Sequence, residues 1–342
     1  MADNLQQLLE QQNPVDLLRG ASSARLTNLS PHETQNWIRV QQATRDGILF
    51  HDQTYYADNV FISGPGAARL IEETAINSCA DFSPARPIHY VAADESGALV
   101  GDGILFRRGE DEFAYVGATP AAHWLAYHAE RRADVDIAIE RRATSHQIGS
   151  TISRSEFRFE LQGPGAWRLL EELNGGALED VPFIHTSTMT IAGVRVHTLR
   201  HAMAGSPGLE LWGDHADRDR VADAILEAGS RAGLVTAGAR AYPTSLLAYA
   251  ALSSYVPAVY TSPSTEPFRR WLSADSYEAT ASLVGSFDSP DIEDYYVTPW
   301  DLGFDAVLAL DHDFIGRTAL EQMDPEQRRR KVTLVWDGDD LG

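Results

Sequence analysis

Residues 58–73 read DNVFISGPGAARLIEE, and residues 157–172 read FRFELQGPGAWRLLEE. Each stretch is an alternating apolar run, then Gly-Pro-Gly-Ala, then an amphipathic segment with acidic residues. Alternation places successive side chains on opposite faces of a strand, while the later spacing of three and four is helical. Each copy therefore predicts a strand, a tight turn and a helix. Gly64 and Gly163 can take backbone angles closed to other residues, and Pro65 and Pro164 suit the first turn of a helix. A separation of roughly a hundred residues exceeds the period of solenoid repeats, so two duplicated half-units are expected. A ligand site is expected where those halves meet.

Working outward, residues 87–117 hold three β-like runs, PIHYVAAD, ALVGDGILFRRG and DEFAYVGA, separated by Glu95-Ser96-Gly97 and Glu110-Asp111. A helix is expected from about Pro120 to Glu130, with Trp124, Leu125 and His128 on one side. Upstream, residues 32–45 look helical and lead into GILFHDQTYYADNVFISG, which reads as strand, polar turn, strand. The first twenty residues predict one short amphipathic helix built on Leu5, Leu8 and Leu9. After the second copy, MTIAGVRVHTLRH and GLELWG predict two further strands. Residues 217–232 predict an amphipathic helix, with Val221, Ile225 and Leu226 expected inward and Gly233 ending it.

The fold class expected is α+β, two pseudo-repeated α/β sandwiches with mixed or antiparallel sheets. Residues 1–45 are expected to be a helical segment packed on the core, 46–150 a first unit, and 151–240 a second, ferredoxin-like one. Residues 241–330 read as a loop-rich return that completes the first unit, and 331–342 as the start of a further β element. Loop-rich stretches of that length inside a domain are often functional.

Charge and composition exclude several classes of function. A net charge of −21 argues against a nucleic-acid surface, which needs clustered cations. The one basic run, Arg328-Arg329-Arg330-Lys331, reads as a solvated helix end. Cys79 is the only cysteine, which rules out an intrachain disulfide and a cysteine metal cluster. Lys331 is the only lysine, so neither a Schiff-base lysine nor a Walker phosphate loop has a candidate. No long uncharged apolar run marks a membrane span, and the N-terminus lacks the order of a secretory signal, so cytoplasmic residence is expected.

Few residues stand out for chemistry. Glu210 follows a Gly- and Pro-rich turn and lies between Leu209 and Leu211, on the opposite strand face from both. A carboxylate held so stiffly can accept paired N–H donors from a flat heterocycle, although a solvent-facing glutamate on an edge strand has the same pattern. His51, Asp52, Gln53, Tyr55 and Tyr56 form a polar-aromatic cluster that suits a hairpin tip. Asp311-His312-Asp313 suits an exposed turn before a helix better than a metal site, and Gly101-Asp102-Gly103 suits a bulge or turn. Tyr242, between Arg240 and Pro243, could protonate a leaving oxyanion or could be a half-buried tyrosine bonded to backbone.

These segments together resemble the folate-binding family of the glycine-cleavage T-protein (aminomethyltransferase), and within it the tetrahydrofolate-dependent aryl O-demethylases. The likeness runs from about Trp37 to Trp336 through LFHDQT, GDGILF, YVG-x-x-PAA-x-WL-x-YHA, QGPGAW, TLRHAMAGSPGLELWG, RAYP and DHDFIGR-x-AL. The resemblance implies methyl transfer from a methoxyarene to N5 of tetrahydrofolate, without a metal. It implies that Glu210 holds the pterin ring, that Gln53, Val116 and Phe183 line the same pocket, and that Tyr242 is catalytic. Thr27, Tyr56, Ala118 and Arg240 fall on the substrate side.

The chain departs from that family pattern in several places. Vanillate-type members carry an arginine where this chain has Ala118, a histidine where it has Tyr56 and a tryptophan where it has Ala251. A wider, less cationic pocket is expected, with vanillate a poor substrate. The family continues into a β-barrel after a strand like KVTLVWDGDD, whereas this sequence stops at Gly342. The alternatives are a folate enzyme with an aminomethyl or other methyl donor, or a folate-binding protein without catalysis.

Overall fold

The computed structural model describes residues 2–21, 35–141, 152–201, 206–238, 254–324, 326, 328–329, 332 and 334–341. Both Gly-Pro-Gly-Ala stretches are strand-turn-helix units. The first joins β2 (Asp58–Ser63) to α4 (Ala67–Thr74), and the second joins β7 (Glu156–Gln162) to α6 (Ala166–Asn174). Gly64 and Gly163 sit at φ 109° and 112°. The amides of Ala67 and Ala166 close each turn onto the carbonyls of Gly64 and Gly163. The prolines therefore occupy the second position of a β-turn, one residue before the helix caps Gly66 and Gly165, and not the first helical turn. A Cβ on Gly163 would lie 2.4 Å from the Gly47 carbonyl oxygen, and one on Gly64 would lie 2.6 Å from that of Asp134. Each turn is thus pressed against the chain just ahead of another strand of its own sheet.

Two sheets result. The first is antiparallel, in the order β3-β4-β5-β2-β6, with β3 Ile88–Ala93, β4 Leu99–Arg107, β5 Glu112–Gly117 and β6 Asp136–Glu140. The second runs β11-β1-β7-β10-β9-β8, with β1 Leu49–Asp52, β8 Thr186–Ile191, β9 Val194–Leu199, β10 Gly208–Asp214 and β11 Val235–Thr236. Among the described residues only the β1–β11 pairing is parallel. β1 and β2 are not the arms of a hairpin, because β1 pairs with β7 in the second sheet. The polar segment 53–57 is a crossover between sheets, and α3 (Trp37–Asp46) packs with β1 and β11. The segment 189–201 is broken as well. Ala192 (φ 49°) and Gly193 (φ 76°) form a two-residue turn between β8 and β9, so three strands stand where two were expected.

The first core lies between the first sheet and α4 and α5 (Thr119–Ala129). It also takes in the N-terminal pair α1 (Leu5–Leu9) and α2 (Pro14–Gly20), which is two helices where one was expected. Asn4 and Asn13 cap them, and Pro14 opens the second. Val259, Tyr260, Phe268 on α8 (Glu266–Trp271), Ala279 on α9 (Tyr277–Thr280) and Ile292 return to this same core. The second core packs Phe157, Phe159, Leu161, Leu209 and Leu211 against α6 and α7 (Arg218–Arg231). A third, smaller cluster joins the sheets face to face: Phe106, Ala114 and Val116 meet Leu199 and Trp212.

Arg328 and Arg329 are not a solvated helix end; Arg328 lies 3.9 Å over the Trp300 ring and Arg329 pairs with Asp301 at 3.0 Å. Val332, Leu334, Val335 and Trp336 are exposed and form no strand among the described residues. No helix among them is long and apolar enough to cross a membrane.

Candidate functional site

Alternation along β7 and β10 turns Phe157, Phe159, Leu161, Leu209 and Leu211 into the second core, and so turns Arg158, Glu160, Glu210 and Trp212 toward the first sheet. Because that sheet covers them, these polar side chains are buried. Glu210 is 5% exposed, and β10 is interior, between β7 and β9, not an edge. One Glu210 oxygen accepts from Arg158 Nη1 at 3.0 Å and the other meets His201 Nδ1 at 2.9 Å. Burial alone would raise its pKa, but the His201 hydrogen bond and the charges of His201 and Arg158 outweigh burial and hold it at about 2. The Arg158 guanidinium lies 5.3 Å from the rings of both Phe106 and Trp212, which fixes its plane.

Across the strand from Glu210 stands Glu160, and across from that His51. Gln53 Nε2 donates to Glu160 at 2.5 Å, and Gln162 Nε2 donates to its other oxygen. Burial pushes the His51 imidazole down to about 4, so it is neutral near pH 7. The ring of Tyr56 meets it edge-on at 5.9 Å. Val116 lies in the apolar cluster between the sheets. Phe183 is 61% exposed, its ring 6.0 Å from that of His201. It precedes Ile184, whose φ of 56° is unusual for a β-branched residue, and the turn is tied down by Ile184 N–H to the Arg200 carbonyl and Arg200 N–H to that of His185. Of the residues marked in the sequence, Gln53 and Glu210 thus lie in one buried polar layer, with Val116 on the facing sheet, Tyr56 beside His51 and Phe183 at the rim. Thr27, Arg240, Tyr242 and Ala251 lie outside the described residues.

A second polar group on the facing sheet was missed in the sequence. Gly101-Asp102-Gly103 is not a turn but lies within β4, and Gly101 borders the expected bulge: Ala92 pairs with Gly101 and Ala93 with Leu99, which leaves Val100 as the extra residue. Asp102 shares a strand face with Ile104 and Phe106, the face turned to the second sheet. Its carboxylate meets His89 Nε2 at 2.7 Å and accepts from the Tyr255 hydroxyl at 2.6 Å. Burial opposes ionisation, but the hydrogen bond and charge of His89 prevail and hold Asp102 below the ordinary aspartate range. Burial and the neighbouring Asp102 push Tyr255 well above the usual phenol range, so it remains a donor. The flanking glycines allow close contact on the other face. A Cβ on Gly101 would lie 2.7 Å from the Ala121 amide, and one on Gly103 2.6 Å from the Tyr115 ring. Ala118 is tied to this group through its N–H, which donates to the Asp102 carbonyl at 3.1 Å. The available signal was the strand alternation of GDGILF, which sets Asp102 in register with Ile104 and Phe106.

Elsewhere, the Asp311-His312-Asp313 run is a turn before α10 (Arg317–Gln322), with His312 bonded to Asp311 and to the Ala75 carbonyl. Among the described residues no group of three or more His, Cys, Asp or Glu side chains could hold a metal ion. A cavity of about 300 Å³ lined by Asp94, Ser96, Thr261, Glu293, Tyr296 and Thr298, among others, shares no residue with the layer between the sheets.

Comparison with known proteins agrees with this architecture. The GCVT N-terminal domain model matches residues 29–248. The chain belongs to the GCVT family. A syringate O-demethylase from Sphingobium sp. is 35% identical to it over 100% of this chain and 74% of its own length. A sesamin methylene transferase from Sinomonas sp. is 30% identical over 82% of this chain and 60% of its own. Among solved structures, the glycine cleavage system aminomethyltransferase T from Bartonella henselae aligns with a TM-score of 0.50 at 17% identity, over 69% of this chain and 59% of its own. That likeness concerns the fold alone. The glycine-cleavage T-protein-like fold expected from the sequence is the fold of this GCVT family member.

Proposed function

We propose that this protein transfers the methyl group of a methoxylated aromatic ether to N5 of tetrahydrofolate, leaving a phenol and 5-methyltetrahydrofolate. The observation that carries the reading is Glu210, an ionised carboxylate held in the interior of a sheet by Arg158 and His201. A reduced pterin offers several N–H donors along one edge of a flat ring, and an acceptor-only carboxylate matches that edge. Gln53 and Val116 extend the same layer as polar and apolar contacts, and the ring of Phe183 stands at its rim. The likeness to a syringate O-demethylase over the whole chain supports an aryl ether as methyl donor.

When bound, tetrahydrofolate supplies the nitrogen that accepts the methyl group. The protein's own residues do the rest. Glu210 anchors the ring and so fixes the angle of approach, which is worth a large share of the barrier. Tyr242 gives its proton to the ether oxygen, so that the leaving group departs as a phenol. Asp102, kept ionised by His89, takes up the proton released in the transfer. To Thr27, Tyr56, Ala118 and Arg240 we assign the binding of the arene. Alanine at 118 offers no cation to a substrate carboxylate, which favours uncharged ethers over vanillate.

The test is to incubate the protein with tetrahydrofolate and a panel of arenes, reading 5-methyltetrahydrofolate by mass spectrometry. Guaiacol-type ethers are expected to turn over faster than vanillate, and Tyr242→Phe to lower the rate roughly a hundredfold. A methylenedioxyarene belongs in the panel because of the likeness to a sesamin methylene transferase. Absence of methylated product from every methoxyarene would overturn the proposal and leave aminomethyl transfer or non-catalytic folate binding.

A further inference from the structure

We infer that Glu160 is a positioning residue that fixes which end of the Gln53 side-chain amide faces the ligand, so that the protein reads a hydrogen-bond donor at that point. The inference rests on the folate reading and adds a residue to it. A glutamine amide carries a donor and an acceptor on nearly indistinguishable ends, and a 180° flip exchanges them. A carboxylate that receives an N–H on each oxygen resolves the choice, because both oxygens then act as acceptors. Glu160 is 5% exposed and receives the amide groups of both Gln53 and Gln162, one on each oxygen. His51 Nδ1 lies 3.5 Å from the same Gln53 nitrogen. The Gln53 NH2 group is therefore committed inward, and its Oε1 has no partner among the described residues. Gln53 is anchored from both ends of its backbone. Its N–H donates to the Arg158 carbonyl at 2.8 Å, and its carbonyl accepts from Tyr56 N–H at 2.9 Å. Only the side-chain torsions remain, and Glu160 fixes them.

The ligand group read by Gln53 is thus an N–H, as on the saturated nitrogens of a tetrahydropterin, and not a ring nitrogen lone pair. Glu160→Gln leaves one acceptor oxygen for two amide donors, so either Gln53 or Gln162 must turn over. Isothermal calorimetry with tetrahydrofolate is expected to show roughly tenfold weaker binding for Glu160→Gln. The same loss is expected for Gln53→Ala, with no further loss in the double variant, because the two act through one contact. At saturating tetrahydrofolate, turnover of Glu160→Gln should match wild type. Wild-type affinity in Glu160→Leu, which leaves neither amide an acceptor, or losses that simply add in the double variant, would overturn the inference.

A ligand-independent reading separates it from the folate proposal. The Gln53 side-chain NH2 resonances, identified by their loss in Gln53→Ala, are expected to exchange slowly in the wild type. They should shift in Glu160→Gln. Fast exchange in the wild type would show that the amide NH2 is not held by Glu160, which also overturns the inference. If that signature holds but the wild type binds no tetrahydrofolate, the folate reading fails and the amide clamp stands.

Discussion

At the scale of single residues, Glu210 shows how burial and pairing compete. A free glutamate titrates near 4.5; burial would raise that value, and His201 and Arg158 bring it to about 2. A carboxyl whose native pKa lies below its unfolded one contributes stability that is complete above about pH 4.5 and is lost as pH falls toward 2. The difference corresponds to something on the order of 3 kcal/mol. Denaturant titrations at stepped pH should therefore show wild-type stability falling more steeply from pH 4.5 to 2 than that of Glu210→Gln, by about that amount. Parallel profiles would mean that the carboxylate is not held ionised. The sequence already marked Glu210 and Gln53, because a rigid turn and a polar cluster are visible in one dimension. Glu160 and Asp102 were not marked. A polar residue at every second position of a strand is by default solvent-facing, and only the sheet packed on top reverses that default.

At the scale of elements, the β8–β9 turn is the clearest departure from the sequence reading. A type I′ turn needs positive φ at both central residues, and Asn-Gly is its usual signature. Here the first position is Ala192 at φ 49°, so TIAGVRV carries no turn signal beyond one glycine and reads as an unbroken strand. Alanine in the left-handed region costs about 1–2 kcal/mol, a cost asparagine largely avoids. Ala192→Asn is expected to raise the free energy of unfolding by about 1 kcal/mol in denaturant titrations. No gain, or a loss, would contradict the turn geometry. The two Gly-Pro-Gly-Ala units were legible for the opposite reason, since all their information is local: turn residues between two periodicities.

At the scale of the whole molecule, the duplication is real but not a simple tandem. The order β3-β4-β5-β2-β6 is matched by β8-β9-β10-β7-β1, so β1 holds in the second sheet the place that β6 holds in the first. Each of these strands follows a helix, α3 before β1 and α5 before β6, and each is preceded by the backbone on which a Gly-Pro-Gly turn rests. A strand read as part of the first unit thus completes the second sheet. Nothing in its own residues distinguishes the two placements, because LFHD would pair with either neighbour. The consequence for function is direct. The crossover from β1 to β2 carries Gln53 and Tyr56 between the sheets, and the Arg108–Glu156 pair at 2.5 Å and Arg154 Nη2 to the Ala57 carbonyl at 2.7 Å tie the halves together there. The most direct test of a folate site in this seam is a crystal structure of the protein with tetrahydrofolate. The pterin edge is expected within hydrogen-bonding distance of the Glu210 carboxylate, with Val116 and Gln53 against the ring; a pterin bound on any other surface, with Glu210 still capped by Arg158 and His201 alone, would contradict the account.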